Sequence, residues 1–289
     1  MGMYDRDWMR DSSPTLADRW QQLPVAARWV IIAVTVLALV LLIYYARARN
    51  QRPSVADEEA LLWAITQDDA QEVDRILEQH PSLAQPGYDF WGESPLLVAC
   101  HSGATESLQV LVERGADVNT RGIEGATPLH IAAIGGDVEV VTALLKLGAD
   151  PTAVDKDGDT PLMAVLKEPH GSEPEIVRAL LEHGADPNLR VAGGMTPLHR
   201  AAWTGDVKTA RLLLAHDADP LATDDDGYTP LMAAAQGPSQ GSVEIAQALI
   251  DKGADVNHRG NDGIVAVQLA RRAKNAAMVA LLVKHGATD

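Results

Sequence analysis

Apolar and polar positions are arranged in this chain as two short helical patterns followed by a polar turn. Residues 129–133 are a short run of Leu, Ile and Ala with one His, which predicts a small buried helix. Residues 138–145 carry apolar side chains three and four positions apart, the spacing of one helix face. The glycines at 135–136 separate the two helices, and residues 149–158 are too polar and turn-rich for a helix. The block therefore predicts a helix–turn–helix–hairpin unit.

This block recurs on a fixed period. A tetrapeptide with Pro-Leu at its centre begins at Ser94, Thr127, Thr160, Thr196 and Thr229, with successive starts 33, 33, 36 and 33 residues apart. A Gly-Ala-Asp marker, or a close variant, begins at 115, 148, 184, 217, 253 and 286. Thr-Pro suits a helix start, because proline lacks the N–H that would have no partner there and the Thr hydroxyl can cap the helix. Self-similarity at this period predicts a stacked solenoid.

The Thr-Pro-Leu-His and Gly-Ala-Asp-x-Asn motifs at this spacing resemble the ankyrin repeat family. The resemblance covers about 57–289 and implies an all-α repeat solenoid of helix–turn–helix–hairpin units. The two ends depart from the motif, as capping units do. We expect an N-terminal cap at 57–89, five full repeats over about 90–261 and a C-terminal cap at 262–289.

Two repeats are three residues longer than the others, and both insertions fall between the paired helices. Residues 167–174 and 236–242 are rich in Pro, Gly and Ser, so both are predicted to be loops. Insertions at equivalent places project from one face of a solenoid. Neutral drift at a tolerant loop and contact with a partner both remain open.

An apolar run precedes the repeats. Residues 29–46 contain no charge, and Thr35 is the one polar residue inside the run, which has Trp29 at one end and two tyrosines at the other. Eighteen helical residues span about 27 Å, enough to cross a hydrocarbon core. We therefore predict an N-terminal tail at 1–28, a transmembrane helix at 29–46 and a basic juxtamembrane linker at 47–56. A signal peptide cleaved after an Ala-Arg-Ala sequence at 46–48 is the alternative, although its apolar core would be unusually long.

The orientation of this anchor rests on arginines alone. Arg47, Arg49 and Arg52 crowd behind the apolar run, whereas those before it are more dispersed. Positive residues favour the cytoplasmic side, which predicts a single-pass protein of the plasma membrane, or the inner membrane of a bacterium, with cytoplasmic repeats. A periplasmic or lumenal repeat domain is the alternative.

The charge of the repeats points to a class of partner. Residues 53–289 carry 36 Asp and Glu against 17 Lys and Arg. Such a field repels nucleic acid and anionic lipid and favours a basic protein partner. The alternative is that the charge only keeps the repeats soluble.

Residues capable of chemistry are placed as structural residues. His130 and His199 belong to the family motif, while His183, His216 and His285 recur just before the glycine turn. No metal-ligand spacing, phosphate loop or nucleophile elbow is present, and Cys100 occupies an alanine position of a helix. We therefore expect no enzyme activity, cofactor, metal or small-molecule substrate.

The resemblance implies that a concave face, made of hairpin tips and first helices, carries recognition. Phe90, Trp91 and Trp203 are its predicted aromatic anchors, although Trp91 and Trp203 could instead fill gaps between repeats. Trp63 is expected to fill such a gap in the N-terminal cap. The predicted partner-binding residues are Phe90, Trp91, His101, Ile123, Glu124, Asp157, Asp159, Met195, Trp203, Asp225, Asp226 and Tyr228.

These features together predict a membrane-tethered scaffold or adaptor that binds another protein without chemistry. The alternative is an inhibitor or immunity-type protein that occludes a basic toxin or enzyme. The anchor separates the two, because a scaffold needs its tether whereas an inhibitor works in solution.

Overall fold

The computed structural model describes residues 53–85, 94–122, 124–167, 173–237 and 240–288, which contain fourteen α-helices in alternating pairs. The first helices of the pairs are α1 Val55–Thr66, α3 Pro95–Ser102, α5 Pro128–Gly135, α7 Pro161–Lys167, α9 Pro197–Thr204, α11 Pro230–Gln236 and α13 Ala266–Arg272. The second helices are α2 Ala70–Gln79, α4 Thr105–Glu113, α6 Val138–Lys146, α8 Pro174–Glu182, α10 Val207–Ala215, α12 Gln240–Asp251 and α14 Ala276–Lys284. Short 3-10 turns occupy Pro81–Ala84 and Ala192–Gly194.

The helices stack in two layers. Each first helix packs on the next first helix, and each second helix packs on the next second helix. One hydrophobic core runs between the layers from Leu61 to Leu282. Paired alanines such as Ala132 and Ala133 are buried within it, and their small side chains allow neighbouring helices to approach closely. The predicted all-α repeat solenoid is confirmed.

The helix starts explain the recurring tetrapeptide. The hydroxyls of Thr160 and Thr229 accept the N–H of the residue three positions later, at 3.4 Å in each case, as predicted for a cap. In α5 the His130 ring adds the reciprocal half of a capping box, because the Thr127 N–H donates to Nδ1 at 3.2 Å. His130 Nε2 therefore carries the proton and donates to the Asp159 carbonyl of the next hairpin at 3.0 Å.

The described hairpins are closed by backbone and side-chain hydrogen bonds without forming regular strands. Within the described ranges the only β pairing is an isolated bridge between Arg259 and Val265. In a typical hairpin, Asp155 Oδ1 accepts the N–H groups of Asp157 and Asp159, each at 2.9 Å. The hairpin geometry thus depends on short polar side chains at fixed positions.

Asparagines join neighbouring repeats through these hairpins at every second junction. The amide oxygens of Asn119, Asn188 and Asn257 accept the N–H groups of Asp150, Asp219 and Thr288 at 2.8, 2.7 and 2.8 Å. Thr152 and Leu221 occupy the same register in the repeats between, and the Thr152 hydroxyl donates to Asp150 in its own turn at 2.7 Å. The polar joints therefore recur every second repeat.

The alternation reflects a larger unit of two repeats. Residues 127–195, the first pair, align without gaps on residues 196–264, the second pair, and 34 of the 69 positions are identical. Both pairs place His in the first tetrapeptide, Met in the second, and the three-residue insertion in the second repeat. The equivalence of the pairs allows one copy to be compared with the other, position by position.

Several predictions concern residues outside the described ranges. They include the tail 1–28, the membrane segment 29–46, most of the linker 47–56 and the greater part of the loop 167–174. Within the described ranges, no helix combines the length and apolarity that crossing a membrane requires.

The expectation for Trp63 is wrong. Trp63 lies on α1 with 68% of its surface exposed, so it fills no gap in the N-terminal cap. Leu61, Ala64 and Ile65 of the same helix are buried and supply the packing of this unit. The tryptophan therefore adds to the surface of the cap rather than to its core.

Candidate functional site

The predicted recognition surface corresponds to α3, α5, α7, α9 and α11 with the hairpins that precede them, here called the first-helix face. His101, Glu124, Asp157, Trp203, Asp225 and Asp226 are exposed on it, Met195 and Tyr228 are half-buried, and Asp159 is buried. Phe90, Trp91 and Ile123 lie outside the described residues. Trp203 is 45% exposed, which argues against a purely gap-filling role.

Three of the predicted residues meet in one depression between α9 and α11. Met195, Trp203 and Tyr228 line a space of about 210 Å³, which we call the Trp203 pocket. Its remaining lining residues are His199, Arg200, Asp224, Ala233 and Gln236. Ligand pockets for small molecules usually measure about 300–1,000 Å³, so this space suits a single side chain better than a free ligand.

The Trp203 ring is held in place without being buried. The Arg200 guanidinium lies 5.5 Å from the centroid of the ring, within the range of a cation–π interaction. Arg200 Nε also donates to the Leu166 carbonyl at 3.3 Å, which ties the guanidinium to the preceding first helix. Arg200 therefore orients Trp203 and leaves part of the indole open to solvent.

Tyr228 forms the opposite wall and is fixed at three points. Its N–H donates to Asp224 Oδ1 at 2.7 Å, and its carbonyl accepts from His199 Nε2 at 2.9 Å. Its hydroxyl donates to Asp262 Oδ2 at 2.8 Å. Burial, followed by this hydrogen bond, raises the pKa of Tyr228 above its ordinary value, so the phenol stays protonated.

A glycine makes room for the tyrosine ring. A Cβ atom at Gly260 would lie 2.5 Å from Tyr228 Cε1, closer than any ordinary contact. The ring of Tyr228 therefore rests directly on the backbone of the next hairpin. This close approach fixes the position of the Tyr228 ring, which forms one wall of the pocket.

The pocket is nearly neutral although the domain is acidic. Burial is the main reason that the pKa of His199 lies below its ordinary value, so the imidazole is neutral at pH 7. Arg200 and Asp224 carry the two opposite charges of the lining. Outside the lining, the carboxylates of Asp226 and Asp262 interact with Tyr228, and Arg272 offsets part of their charge. Asp225 follows Asp224 in the hairpin and pairs with Arg190 at 2.9 Å.

Asp159 differs from the other predicted carboxylates. Only 4% of Asp159 is exposed, and its carboxylate forms an ion pair with the Lys167 ammonium. It therefore does not present its charge to a partner as predicted. Asp157 is exposed, and Glu124 lies 3.5 Å from Lys156 in a solvent-screened pair worth at most about 1 kcal/mol.

The carboxylates of one hairpin come close enough together to suggest a cation site. Oxygens of Asp155, Asp157 and Asp159 lie within 4.8 Å of one another. Asp155 Oδ1 already accepts two backbone N–H groups, and the Lys167 ammonium already neutralises Asp159. The cluster is therefore accounted for by turn formation and an internal ion pair.

Arg200 and Asp224 were not among the predicted site residues. Arg200 follows the histidine of its tetrapeptide, a register in which the other full repeats carry Val98, Ile131, Ala164 and Ala233. A single charge in an otherwise apolar column was the signal that could have identified it. Asp224 carried no such signal, because Asp155 occupies the same hairpin position in the first pair.

Comparisons with known proteins agree with this architecture. A family model described as ankyrin repeats in three copies matches residues 61–155, 129–224, 170–260 and 220–289. A crystal structure of the ankyrin repeat domain of Bcl-3, a member of the IkappaB family, is similar with a TM-score of 0.68 and 24% identity over 78% of this chain and 97% of that chain. In all, 556 chains of solved structures match, and no curated protein does. A likeness this widespread establishes a fold and leaves the partner open.

Proposed function

Because the chain belongs to the ankyrin repeat family, we propose that it acts as a membrane-tethered scaffold that binds a partner protein on its first-helix face. The single observation that carries the proposal is the Trp203 pocket, in which a half-exposed indole is held ready by Arg200. Trp, Tyr and Arg are the residues most enriched among interface hot spots. The pocket brings one of each together.

Exposed apolar side chains along the same face support the proposal. Ile134 on α5 is 46% exposed and occupies the same register as Trp203 on α9, while the helices beside them carry His101, Lys167 and Gln236 at that position. Scattered apolar residues on a surface need no explanation, but two in one register lie on the same face of the stacked helices. A partner lying along α5 to α11 would cover both side chains.

The charge of the domain supports a basic partner. Asp157, Asp225 and Asp226 are exposed hairpin-tip carboxylates on the side from which a partner would approach. Like-charged surfaces are repelled and opposite ones are attracted at long range, which increases the association rate more than the final affinity. Nucleic acid and anionic lipid would therefore be disfavoured as ligands of this face.

The membrane tether rests on the apolar run at 29–46. An uncharged stretch of 18 residues with aromatic ends and flanking arginines is the pattern of a single-pass anchor. The cluster of Arg47, Arg49 and Arg52 favours repeats on the cytoplasmic side of the plasma or inner membrane. The anchor would hold the binding face beside the bilayer and recruit the partner there.

An inhibitor or immunity-type protein is the second candidate, and the strong acidity of residues 53–289 is the observation that favours it. Such a protein would cover a basic toxin or enzyme with the same face. The two functions differ in their need for the tether. A chain without residues 1–52 should lose scaffold activity, whereas an inhibitor would still neutralise its target.

Affinity capture with the full-length chain in detergent tests the proposal. We expect a protein that co-purifies with the wild type to be lost from Trp203→Ala and retained by Arg211→Ala. Arg211 lies on α10 of the other layer with an exposed side chain, so it serves as the matched control. Equal loss from both variants, or loss from Arg211→Ala alone, would place binding elsewhere and refute the proposal.

A further inference from the structure

The two pairs of repeats carry different side chains at the positions that line the Trp203 pocket. Subtracting 69 from each residue of the Trp203 pocket gives its counterpart, which lies in the first pair or, for Met195, directly before it at Ala126. There, Asp159 and Lys167 stand where the second pair has Tyr228 and Gln236. The Asp159 carboxylate and the Lys167 ammonium form an ion pair along α7, which they bracket. In the first pair, therefore, two of the positions that line the pocket are paired with each other.

The other counterparts change in the same direction. Val191, which is buried, becomes Gly260, whose backbone supports the Tyr228 ring. The small Ala126 becomes the larger, half-buried Met195 at the edge of the space. Ile131 and Ile134 become Arg200 and Trp203, which stack on each other. At these six positions the first pair thus has an internal ion pair and aliphatic side chains, whereas the second pair has an open, partly aromatic pocket.

We propose that the Trp203 pocket receives one bulky apolar side chain from a partner segment in which lysine or arginine flanks that side chain. This deepens the proposed function and rests on it, since it specifies which residue of the partner the first-helix face would hold. The volume of about 210 Å³ matches one large side chain rather than a separate small molecule. The apolar walls are Met195, Trp203, Ala233 and the ring of Tyr228.

The charged residues around the pocket indicate which residues of the partner flank the inserted side chain. Arg200 is already engaged with the Trp203 ring and the Leu166 carbonyl, and Arg190 is paired with Asp225. Asp226 and Asp262 add two exposed carboxylates beside Tyr228, and Arg272 interacts electrostatically with both Tyr228 and Asp262. The carboxylates of Asp225, Asp226 and Asp262 thus outnumber the guanidinium groups of Arg190 and Arg272, while the pocket itself has no net charge, because His199 is neutral and Arg200 balances Asp224. A basic segment with an apolar centre complements both parts.

The residues of the first pair suggest a variant that closes the Trp203 pocket, here called the closing variant. Tyr228→Asp combined with Gln236→Lys copies the Asp159–Lys167 pair into the second pair and should fill the pocket with an internal ion pair. Gly260→Ala is an independent route, because the added methyl group displaces the Tyr228 ring. Val283→Ala is the matched control, since Val283 is an apolar side chain on α14 of the other layer with nearly the same exposure as Trp203, at 51% against 45%.

The probe is a synthetic peptide series, Gly-Arg-Lys-X-Lys-Arg-Gly, with X as Ala, Leu, Phe, Trp or Glu. The full-length chain in detergent is labelled with 5-fluorotryptophan, and the six Trp signals are followed by ¹⁹F NMR. Trp203→Phe assigns the signal of the pocket, and Trp63, which is exposed at the other end of the repeats, reports non-specific binding.

We expect peptides with Leu, Phe or Trp to shift the Trp203 signal with at least tenfold higher affinity than those with Ala or Glu. The closing variant and Gly260→Ala should each weaken this binding about tenfold or more, and Val283→Ala should leave it unchanged. Thermal melting shows whether each variant is folded. If the double variant is unfolded, Gly260→Ala alone tests the inference.

Two results would overturn the inference. One is an equal response to all five peptides, and the other is unchanged binding to both folded variants. In either case the proposed function stands if the natural partner is still lost from Trp203→Ala and retained by Arg211→Ala. If that capture experiment also fails, the function itself is wrong, so the two failures are distinguishable.

Discussion

The histidines of the repeat motif predict a specific dependence of stability on pH. Burial is the main reason that the pKa values of His130 and His199 lie below the ordinary value of 6.5. Each neutral ring joins a helix start to the next hairpin through Nδ1 and Nε2. The perturbation is His130→Met with His199→Met, which copies Met163 and Met232 from the alternate repeats.

The sign and size follow from proton linkage. A histidine whose pKa is lowered by folding binds its proton more readily in the unfolded chain. Its stabilising effect is complete above pH about 6.5 and is lost as the pH falls from there toward the folded pKa. One proton changes the free energy of unfolding by at most about 1.4 kcal/mol per pH unit, so two histidines contribute up to about 2.7 kcal/mol per unit.

Other groups titrate outside this window. The pKa values of Asp57, Glu72, Asp150 and Asp262 are lowered, chiefly by side-chain or backbone hydrogen bonds that favour the carboxylate. Their stabilising effect is present above their unfolded pKa values and is lost below pH about 4. The interval between pH 7.5 and 5.5 therefore isolates the histidines.

Urea unfolding followed by circular dichroism measures the effect on the fragment 53–289. We expect the wild-type fragment to lose about 1–3 kcal/mol between pH 7.5 and 5.5, and the double Met variant to lose much less. Met163→Leu is the control, because it changes a buried side chain of the same register without removing a titrating group. An equally steep loss in the double Met variant would show that the two histidines do not cause it.

Four further predictions concern the ends, the joints and the charges of the chain. Removing residues 262–289 should expose the apolar edge of α12, so the truncated chain should aggregate or melt at lower temperature; an unchanged melting temperature in a monodisperse sample would contradict this. Asn188→Ala should cost about 1–2 kcal/mol in urea unfolding, because it removes hydrogen bonds to Asp219 and Asp217, whereas Thr152→Ala should cost less. If residues 29–46 span a bilayer, the full-length chain should resist carbonate extraction and a chain lacking 1–52 should be soluble and folded; a mature N-terminus near Arg49 would indicate cleavage instead. Asp225→Asn with Asp226→Asn should mainly slow partner association at low salt in stopped-flow measurements, and an effect that persists at high salt would exclude electrostatic attraction as its cause.

The sequence predicted the repeat architecture well for a physical reason. Every repeat buries the same positions, so the pattern is repeated several times and errors in one copy are corrected by the others. Thr160 and Thr229 cap their helices as expected, since a cap depends on residues only three positions apart. Local geometry of this kind can be deduced from spacing alone.

The pocket could be predicted only in part. Trp203, Met195 and Tyr228 were recognised as surface residues, but their meeting depends on the stacking of α9 on α11. The burial of Asp159 depends on Lys167, eight residues away and on the following helix. Trp63 was misjudged because composition cannot say which side of a capping helix faces solvent. Each of these results depends on packing between elements rather than on spacing within one.

Photocrosslinking in living cells tests the central claim, binding of a protein on the first-helix face, most directly. A benzoylphenylalanine is placed at position 203 or 134 of the first-helix face, or at position 211 of the other layer. The account predicts that the same protein is crosslinked from 203 and 134 and is absent from 211. Crosslinks from 211 alone, or no protein crosslinked from 203, would contradict it.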